Sequence, residues 1–326
     1  MSMNKIVWGI IGCGDVAEVK SGPAFSLVKQ SELKAVMRRD LAKAEDFAKR
    51  HQVKYWYNDA SSILEDPEIN AVYIATPPAF HLQYTLDAIK AGKHVYLEKP
   101  MALNALEAQK IIEALKTSNT KLSVAHYRRY LPAFLKVQDL LQAHIIGEVL
   151  FADIQILQSK NSEIIANSDT PWRFNPEISG GGLFHDVAPH QLDLMYMYFG
   201  DYKAATGFSI NRSQNSSDDI VNGIINFNNG IQCRGMWSFN GAKADEKDDC
   251  VIYGTTGRIE FSFYGKQVTY YKNGTAKSFL FKTPKHIQQP MISAVVDYFL
   301  DQGENPCPAE DALQVTKIMD AFTNYH

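Results

Sequence analysis

Cysteine is scarce in this chain, and what there is lies scattered. Cys13, Cys233, Cys250 and Cys307 form no C-x-x-C pair and no zinc-ligand spacing. Reduced thiols in a cytoplasm-like compartment are therefore expected. H-E-x-x-H is also missing, and no metal site is expected. No apolar stretch approaches the roughly 20 residues a helix needs to cross a bilayer. The amino-terminal apolar run passes straight into a glycine turn without an A-x-A-like cleavage site, so no signal peptide is expected and the protein reads as soluble. An excess of positive charge is lacking as well: 33 Lys and Arg face 36 Asp and Glu, a formal net charge of -3. That balance argues against a nucleic-acid binder relying on a broad basic field, and no nucleic-acid module is recognisable. A local anion pocket remains compatible with it. Internal repeats, low-complexity segments and long Gly/Ser linkers are absent.

What is present is an ordinary globular composition, 45% hydrophobic and 21% charged, over 326 residues. That length exceeds most single cores, so two domains are expected. Up to about residue 124, short apolar runs at 6–11, 33–37, 71–75, 94–97 and 122–125 alternate with segments of helical period such as 41–51, 80–91 and 105–115. This pattern implies βαβ units and a doubly wound parallel sheet with right-handed crossovers. Beyond residue 145 the pattern changes. Strand-like runs at 149–158, 220–227, 231–239, 249–253, 258–263 and 267–271 are separated by Asn229-Gly230, Gly254-Thr255-Thr256-Gly257 and Asn273-Gly274. Such turns predict hairpins and an open, mostly antiparallel sheet. A helix is expected at 182–198 and two more near 287–300 and 310–321. The α/β chain thus divides into a nucleotide-binding domain over 1–125 and a substrate and oligomerisation domain over 126–326, with the C-terminal helices able to pack back on the first.

The first strand runs into Gly12-Cys13-Gly14-Asp15-Val16-Ala17, a G-x-G-x-x-A turn. Gly12 permits a tight turn, Gly14 lets a pyrophosphate approach the backbone, and Ala17 allows close helix–strand packing. The helix that follows would offer free N–H groups to the phosphates. Glycine turns also serve purely structural connections, but the strand–turn–helix context favours a dinucleotide. The second strand ends Val36-Met37-Arg38-Arg39-Asp40, with arginines where NAD sites often carry an acid for the ribose hydroxyls. Guanidinium groups pair well with a 2′-phosphate, which favours NADP(H) over NAD(H). The alternative is a solvated basic cluster with Asp40 capping the next helix, or Asp40 itself meeting a ribose after a register shift.

Two stretches carry candidate chemistry. Glu98-Lys99-Pro100 ends a strand at the edge where doubly wound sheets bind ligands, and Lys99 there could stabilise negative charge on a substrate oxygen. It could equally be a surface lysine. In Gly180-Gly181-Gly182-Leu183-Phe184-His185-Asp186-Val187-Ala188-Pro189-His190, the expected helix puts Asp186 and His190 on one face, with Asp193 nearby. An imidazole there can exchange a proton near neutral pH and a carboxylate can orient it. The bland alternative is a pair that only braces the helix. Pro189 lacks a backbone donor, so the helix either starts later or bends. Loops at 158–171 and 240–248 are expected to line a pocket, though no substrate follows from them.

Taken together, these residues resemble the Gfo/Idh/MocA (glucose–fructose oxidoreductase, inositol dehydrogenase, rhizopine catabolism) family. The resemblance covers essentially the whole chain and rests on the glycine turn, Ala75-Thr76-Pro77-Pro78 with His81, Ala91-Gly92-Lys93-His94-Val95, Glu98-Lys99-Pro100, Tyr127-Arg128-Arg129, Trp172-Arg173 and Gly180-Gly181-Gly182 with Asp186 and His190. It implies an oxidoreductase moving hydride between NADP(H), or NAD(H), and a hydroxyl or carbonyl carbon of a sugar, sugar derivative or polyol. Lys99, Asp186 and His190 match the family's catalytic lysine, aspartate and histidine. Gly12, Cys13, Gly14, Asp15, Val16, Arg38, Arg39, Thr76, Pro77, His81, Glu98, Lys99, Arg129, Trp172 and Arg173 are the cofactor-binding candidates. The Trp172-Arg173 pair is similar to one in sugar-reducing relatives, and Arg128 leaves the register of Arg129 open. A homodimer or homotetramer through the C-terminal sheet is implied too. Alternatives are a trans-dihydrodiol dehydrogenase, a branch with tyrosine in place of His190, and a non-catalytic NADP(H)-binding regulator.

Overall fold

The computed structural model describes residues 3–159, 162, 164, 172–212 and 217–323. It divides into two compact units: residues 1–127 with 284–313, and residues 128–283 with 314–326.

The first unit holds six strands: β1 (Ile6–Ile11), β2 (Ser31–Met37), β3 (Tyr55–Tyr57), β4 (Ala71–Ile74), β5 (His94–Leu97) and β6 (Leu122–Val124). Their order is β3-β2-β1-β4-β5-β6, every pair parallel. The order reverses between β1 and β4, and such switch points open a crevice at the carboxyl ends of the strands. Strands β1, β4, β5 and β6 are almost wholly buried, as strands covered on both faces are. An aromatic cluster fills the core beneath one face: Trp8 lies 4.8 Å from Phe25 and 5.7 Å from Phe299, and Tyr73 stacks on Tyr96 at 5.2 Å. Phe299 belongs to the helix Gln289–Phe299, so a segment distant in sequence completes this core. The same segment covers the open edge of β6: Val124 N–H donates to Cys307 O (3.0 Å), and Asn305 Nδ2 donates to Leu122 O (2.8 Å).

The second unit holds β7 (Val149–Leu157), β8 (Tyr202–Ile210), β9 (Ile220–Phe227), β10 (Gln232–Ser238), β11 (Lys247–Gly254), β12 (Gly257–Phe261), β13 (Gln267–Lys272) and β14 (Thr275–Leu280). They form one sheet in the order β14-β13-β12-β11-β7-β10-β9-β8, antiparallel except for the β7–β10 pair. Burial alternates along β9 and β10, the mark of a sheet covered on one side. The helix Leu183–Phe199 packs on the covered side, where Phe184 meets Trp237 edge-on at 5.2 Å. Gly207 and Gly223 leave room on that side for the Phe322 ring, which an added Cβ at either would strike.

Strands β3, β8 and β14 are additions to the sequence reading. β3 (YWY) is too short to show a period, and β14 (TAKSFL) is almost wholly exposed and carries no apolar pattern. β8 (YKAATGFSI) buries none of its residues fully. Pro189 sits inside its helix, which begins before it at Leu183 rather than later. All four cysteines are buried free thiols. No helix among the described residues is long and apolar enough to cross a membrane.

Candidate active site

In the first unit, the carboxyl edge of the sheet gathers the turn, the arginines and the lysine. Gly12 has φ +96°, and a Cβ there would lie 2.9 Å from the backbone of Ala75 and Thr76. The turn is pinned to β2 by Gly12 N–H and Cys13 N–H, both donating to Met37 O at 2.9 and 3.0 Å. A Cβ on Gly14 would meet nothing within 4 Å. One glycine thus holds the turn against the β4 loop, while the other leaves its backbone open to a ligand. The chain is helical from Asp15, widened to a π-type turn over Ala17–Ser21 before the short α-turn Gly22–Phe25. The first N–H groups of such a helix have no intrahelical acceptor and favour phosphate. Gly12, Gly14, Asp15 and Val16 therefore fit a pyrophosphate cradle. Cys13 faces inward, and burial pushes its thiol up to about 12.

Arg38 follows β2 directly, half-buried, with Nη1 3.5 Å from Cys13 O. Arg39 is exposed and lies over the Phe80 ring, 5.3 Å from its centroid. Asp40 caps the helix Leu41–His51, its carboxylate accepting from Lys43 N–H at 3.2 Å. Asp40 is thus engaged as a cap, while Arg38 reaches the glycine turn and Arg39 lies over Phe80.

His81 ties two loops together. Its Nε2 lies 2.8 Å from Thr76 O and its Nδ1 2.9 Å from Pro100 O. Burial pushes its pKa below the ordinary histidine value, against the opposing pull of the two carbonyls. A neutral ring can donate to only one of them, whereas protonation would satisfy both. His81 thereby sets the spacing between the Thr76-Pro77 loop and the turn containing Lys99. The Lys99–Pro100 peptide is cis, and Lys99 is half-buried.

The Glu98 carboxylate turns inward. It accepts from Tyr73 Oη (2.5 Å), Gln288 Nε2 (2.6 Å) and the Lys99 backbone N–H (3.1 Å). Gln288 also accepts from Tyr96 Oη at 3.0 Å. Glu98 thus fixes the backbone of Lys99 from below. The sequence reading missed Tyr73 and Gln288, for neither belongs to a motif.

In the second unit, three glycines with positive φ deliver the helix Leu183–Phe199. Gly181 is required in the strongest sense, since a Cβ there would fall 2.2 Å from the His185 ring. Asp186 and His190 stand one turn apart. Asp186 Oδ2 accepts from Arg173 Nε at 2.9 Å, and the Arg173 guanidinium lies over Trp172, 4.4 Å from the ring centroid. Arg173 is 4% exposed. Trp172-Arg173 and Asp186 therefore form one cluster. His190 is buried, and its neighbour Gln191 accepts from Trp237 Nε1 at 3.2 Å.

Arg129, a cofactor-contact candidate from the sequence, and Asp193, on the same helix as His190, are held to each other. They form a buried two-pronged ion pair, Nε to Oδ1 and Oδ2 at 3.0 Å each and Nη2 to Oδ1 at 2.7 Å. Arg128 donates to Phe263 O and lies over the Tyr264 ring at 4.3 Å. Of the 158–171 loop, only residues 158, 159, 162 and 164 are described, so most of it lies outside the described residues.

Comparison with known proteins settles the family. Residues 6–126 match the Gfo/Idh/MocA family model for the NAD-binding Rossmann fold, and residues 134–260 match a Gfo/Idh/MocA C-terminal domain model. Oxidoreductase P35 of Formosa agariphila is 52% identical over 319 residues, covering 98% of each chain. The chain belongs to the Gfo/Idh/MocA family. Like its relatives it is an NAD(P)-dependent oxidoreductase. Among solved structures in the family's fold, levoglucosan dehydrogenase in complex with NADH and levoglucosan superimposes with a TM-score of 0.87 at 22% identity, covering 97% of this chain and 96% of that one. A 3-ketoreductase from Actinomadura kijaniata, in complex with NADP and TDP-benzene, gives a TM-score of 0.83 at 20% identity, covering 98% and 97%.

Proposed function

We propose that this oxidoreductase acts on a CH–OH carbon, or the matching carbonyl, of a sugar, sugar derivative or polyol, with NADP(H) preferred over NAD(H). The observation that carries the reading is the arrangement of Asp186 and His190 one turn apart behind the Gly180–Gly182 turn, with Asp186 held by buried Arg173. A regulator that only senses a nucleotide has no need of a proton-transfer pair so braced. Gly12, Gly14, Asp15 and Val16 would hold the pyrophosphate, Thr76 and Pro77 the neighbouring stretch, and Arg38 and Arg39 a 2′-phosphate. Trp172 and Arg173 are assigned to the cofactor by the family resemblance. When bound, the nicotinamide supplies or accepts the hydride.

The chain's own residues handle the proton and the charge. His190 takes the proton from the substrate hydroxyl, or returns it to the alkoxide in the other direction. Asp186 orients His190, and Lys99 steadies the substrate oxygen while negative charge develops on it. Glu98 and His81 act indirectly by fixing the backbone on either side of Lys99. Arg129 is assigned to the cofactor by the family resemblance, with Asp193 holding its guanidinium.

The test is hydride transfer measured at 340 nm with each cofactor against a panel of sugars and polyols, beside His190→Ala. Positioned acid–base groups typically contribute about 10²–10⁴-fold, and a loss of that size in kcat is expected for the variant. An unchanged rate at neutral pH would overturn the role of His190. Turnover of a trans-dihydrodiol without turnover of any sugar would overturn the substrate class.

We also propose that the chain forms a homo-oligomer, a dimer or tetramer, through the uncovered face of its C-terminal sheet, and that it works in the cytoplasm. Phe208 is 77% exposed, Ile224 47% and Met236 39%, all on that face of β8, β9 and β10. Contiguous apolar exposure of this kind marks an interface. Sedimentation of Phe208→Asp against the parent chain tests it, and identical masses would refute it.

A further inference from the structure

Beyond the pair on the helix, the second unit contains an open pocket of mixed lining, about 360 Å³, where three segments meet. Its wall is built rather than incidental. Gln158 Nε2 donates to Lys247 O at 2.7 Å, Gly241 N–H donates to Gln158 O at 3.0 Å, and Ser159 N–H donates to Glu246 Oε1 at 3.2 Å. These bonds stitch the 158–159 segment to the 241–247 segment and hold the lining in place. Asp248 is fixed from the other side, accepting from Phe263 N–H at 3.0 Å and Tyr264 N–H at 2.7 Å.

The lining is chemically mixed. Glu246 and Asp248 are acceptors that retain lone-pair capacity and Lys243 is a donor, while buried Gln158 and Ser162 bond to each other, Ser162 Oγ donating to Gln158 Oε1. Tyr264 supplies an aromatic ring held by the Arg128 guanidinium. Lys243 and Lys247 balance Glu246 and Asp248, so the cavity has no net preference for an anion or a cation. Donors and acceptors of both kinds beside an aromatic ring suit a neutral, hydroxyl-rich ring, which is amphiphilic in the same sense. The volume sits near the low end of ligand pockets, about 300–1,000 Å³, and accommodates one ring rather than a chain of them. The cavity is also tied to the proton-transfer helix. Gln158 N–H donates to Ser238 O at 2.7 Å, and adjacent Trp237 donates to Gln191, the neighbour of His190.

We propose that this cavity is a specificity subsite for one neutral, hydroxyl-rich ring of the substrate, with Glu246, Asp248, Lys243 and Tyr264 as its recognition groups. This rests on the reading of the protein as a carbohydrate oxidoreductase, but its binding test does not require turnover. The full chain is probed with D-glucose, D-galactose, D-xylose, their methyl glycosides, cellobiose and lactose. Saturation-transfer NMR and calorimetry report binding, and cofactor absorbance reports turnover. Glu246→Gln and Lys243→Ala are the primary variants, because neither side chain is part of the core and the amide oxygen introduced by Glu246→Gln would still accept from Ser159; Tyr264→Ala is the more severe third.

At least one probe is expected to bind, with affinity at least tenfold weaker in Glu246→Gln and Tyr264→Ala. For a probe that is turned over, KM should rise by a similar factor while kcat stays within about twofold. Binding and KM unchanged in Glu246→Gln and Lys243→Ala would overturn the subsite and leave the hydride-transfer reading standing. Binding weakened as expected, with no probe oxidised or reduced, would support the subsite and count against that reading. No binding of any probe by the parent chain would overturn the subsite.

Discussion

Arg173 and Asp186 form an ion pair, Nε to Oδ2 at 2.9 Å, between the short turn Trp172–Phe174 and the helix that carries His190. The arginine is nearly buried and the carboxylate only 18% exposed, so the pair is screened far less than a surface salt bridge. Removing the cation leaves a carboxylate in a poorly solvated place without its guanidinium partner. Arg173→Met is expected to lower kcat by roughly tenfold or more and to destabilise the fold by about 3 kcal/mol, the low end for breaking a buried pair. Steady-state kinetics and urea melts measure the two effects. Parent-like values in both would show that the pair is idle.

The second buried pair makes a purely structural prediction. Arg129 and Asp193 are 6% and 1% exposed and bond in a two-pronged geometry. Asp193→Asn alone should cost about 3–5 kcal/mol, because an uncompensated guanidinium remains inside. Replacing both, as Arg129→Met with Asp193→Leu, should cost clearly less than the single change. Urea-melt midpoints of the three variants close the cycle, and additive losses would refute the coupling.

These pairs mark the limit of what was legible in the sequence. The glycine turn, Glu98-Lys99-Pro100 and the Asp186–His190 spacing are local, and their geometry follows from a few neighbouring residues. β9 shows the same for the fold: the strand-like run ahead of the Asn229-Gly230 turn, read over 220–227, is the strand Ile220–Phe227 with both ends correct. Partners across the chain left no such trace. Arg129 meets Asp193 across 64 positions and Glu98 meets Gln288 across 190, and nothing local to any of these residues announces the other. β8 and β14 were silent for another reason, since strands with little buried surface need no apolar pattern.

Cofactor preference gives the third prediction. With Asp40 engaged as a helix cap, Arg38 and Arg39 are the cations that directly follow β2, and Arg38 reaches the glycine turn. Arg38→Ala combined with Arg39→Ala should weaken NADPH at least tenfold, while NADH changes by no more than about threefold. Fluorescence titration of both nucleotides decides it. Equal losses for the two, or a parent chain that favours NADH, would remove the argument for a 2′-phosphate site.

Acid sensitivity is the fourth. Burial pushes both His94 and His185 down to about 4, with the Lys121 charge adding to the effect at His94. In the unfolded chain both titrate near 6.5. Above that value neither state is protonated and their contribution to stability is complete. As pH falls from about 6.5 to 4, the unfolded state gains protons that the native state refuses, and stability drops by up to ~1.4 kcal/mol per pH unit for each group. Below 4 the native state protonates too and their contribution to the slope vanishes. His94→Gln should make the loss between pH 6.5 and 4 shallower in urea melts, and an unaltered slope would exclude this origin.

The segment that returns to cover β6 and complete the Trp8 cluster has a consequence for how the protein is made. Residues 1–127 leave the ribosome first but lack Phe299, Gln288 and the Cys307 carbonyl, all more than 150 residues further on. The nucleotide-binding half therefore cannot reach its final core until residue 307 has been translated. During that interval the Glu98 carboxylate lacks one of its donors and the edge of β6 lies open, a state in which nascent chains can pair wrongly or recruit chaperones. A gene fragment ending near residue 127 should for that reason make a poor stand-alone nucleotide-binding protein, even though the whole glycine turn lies within it.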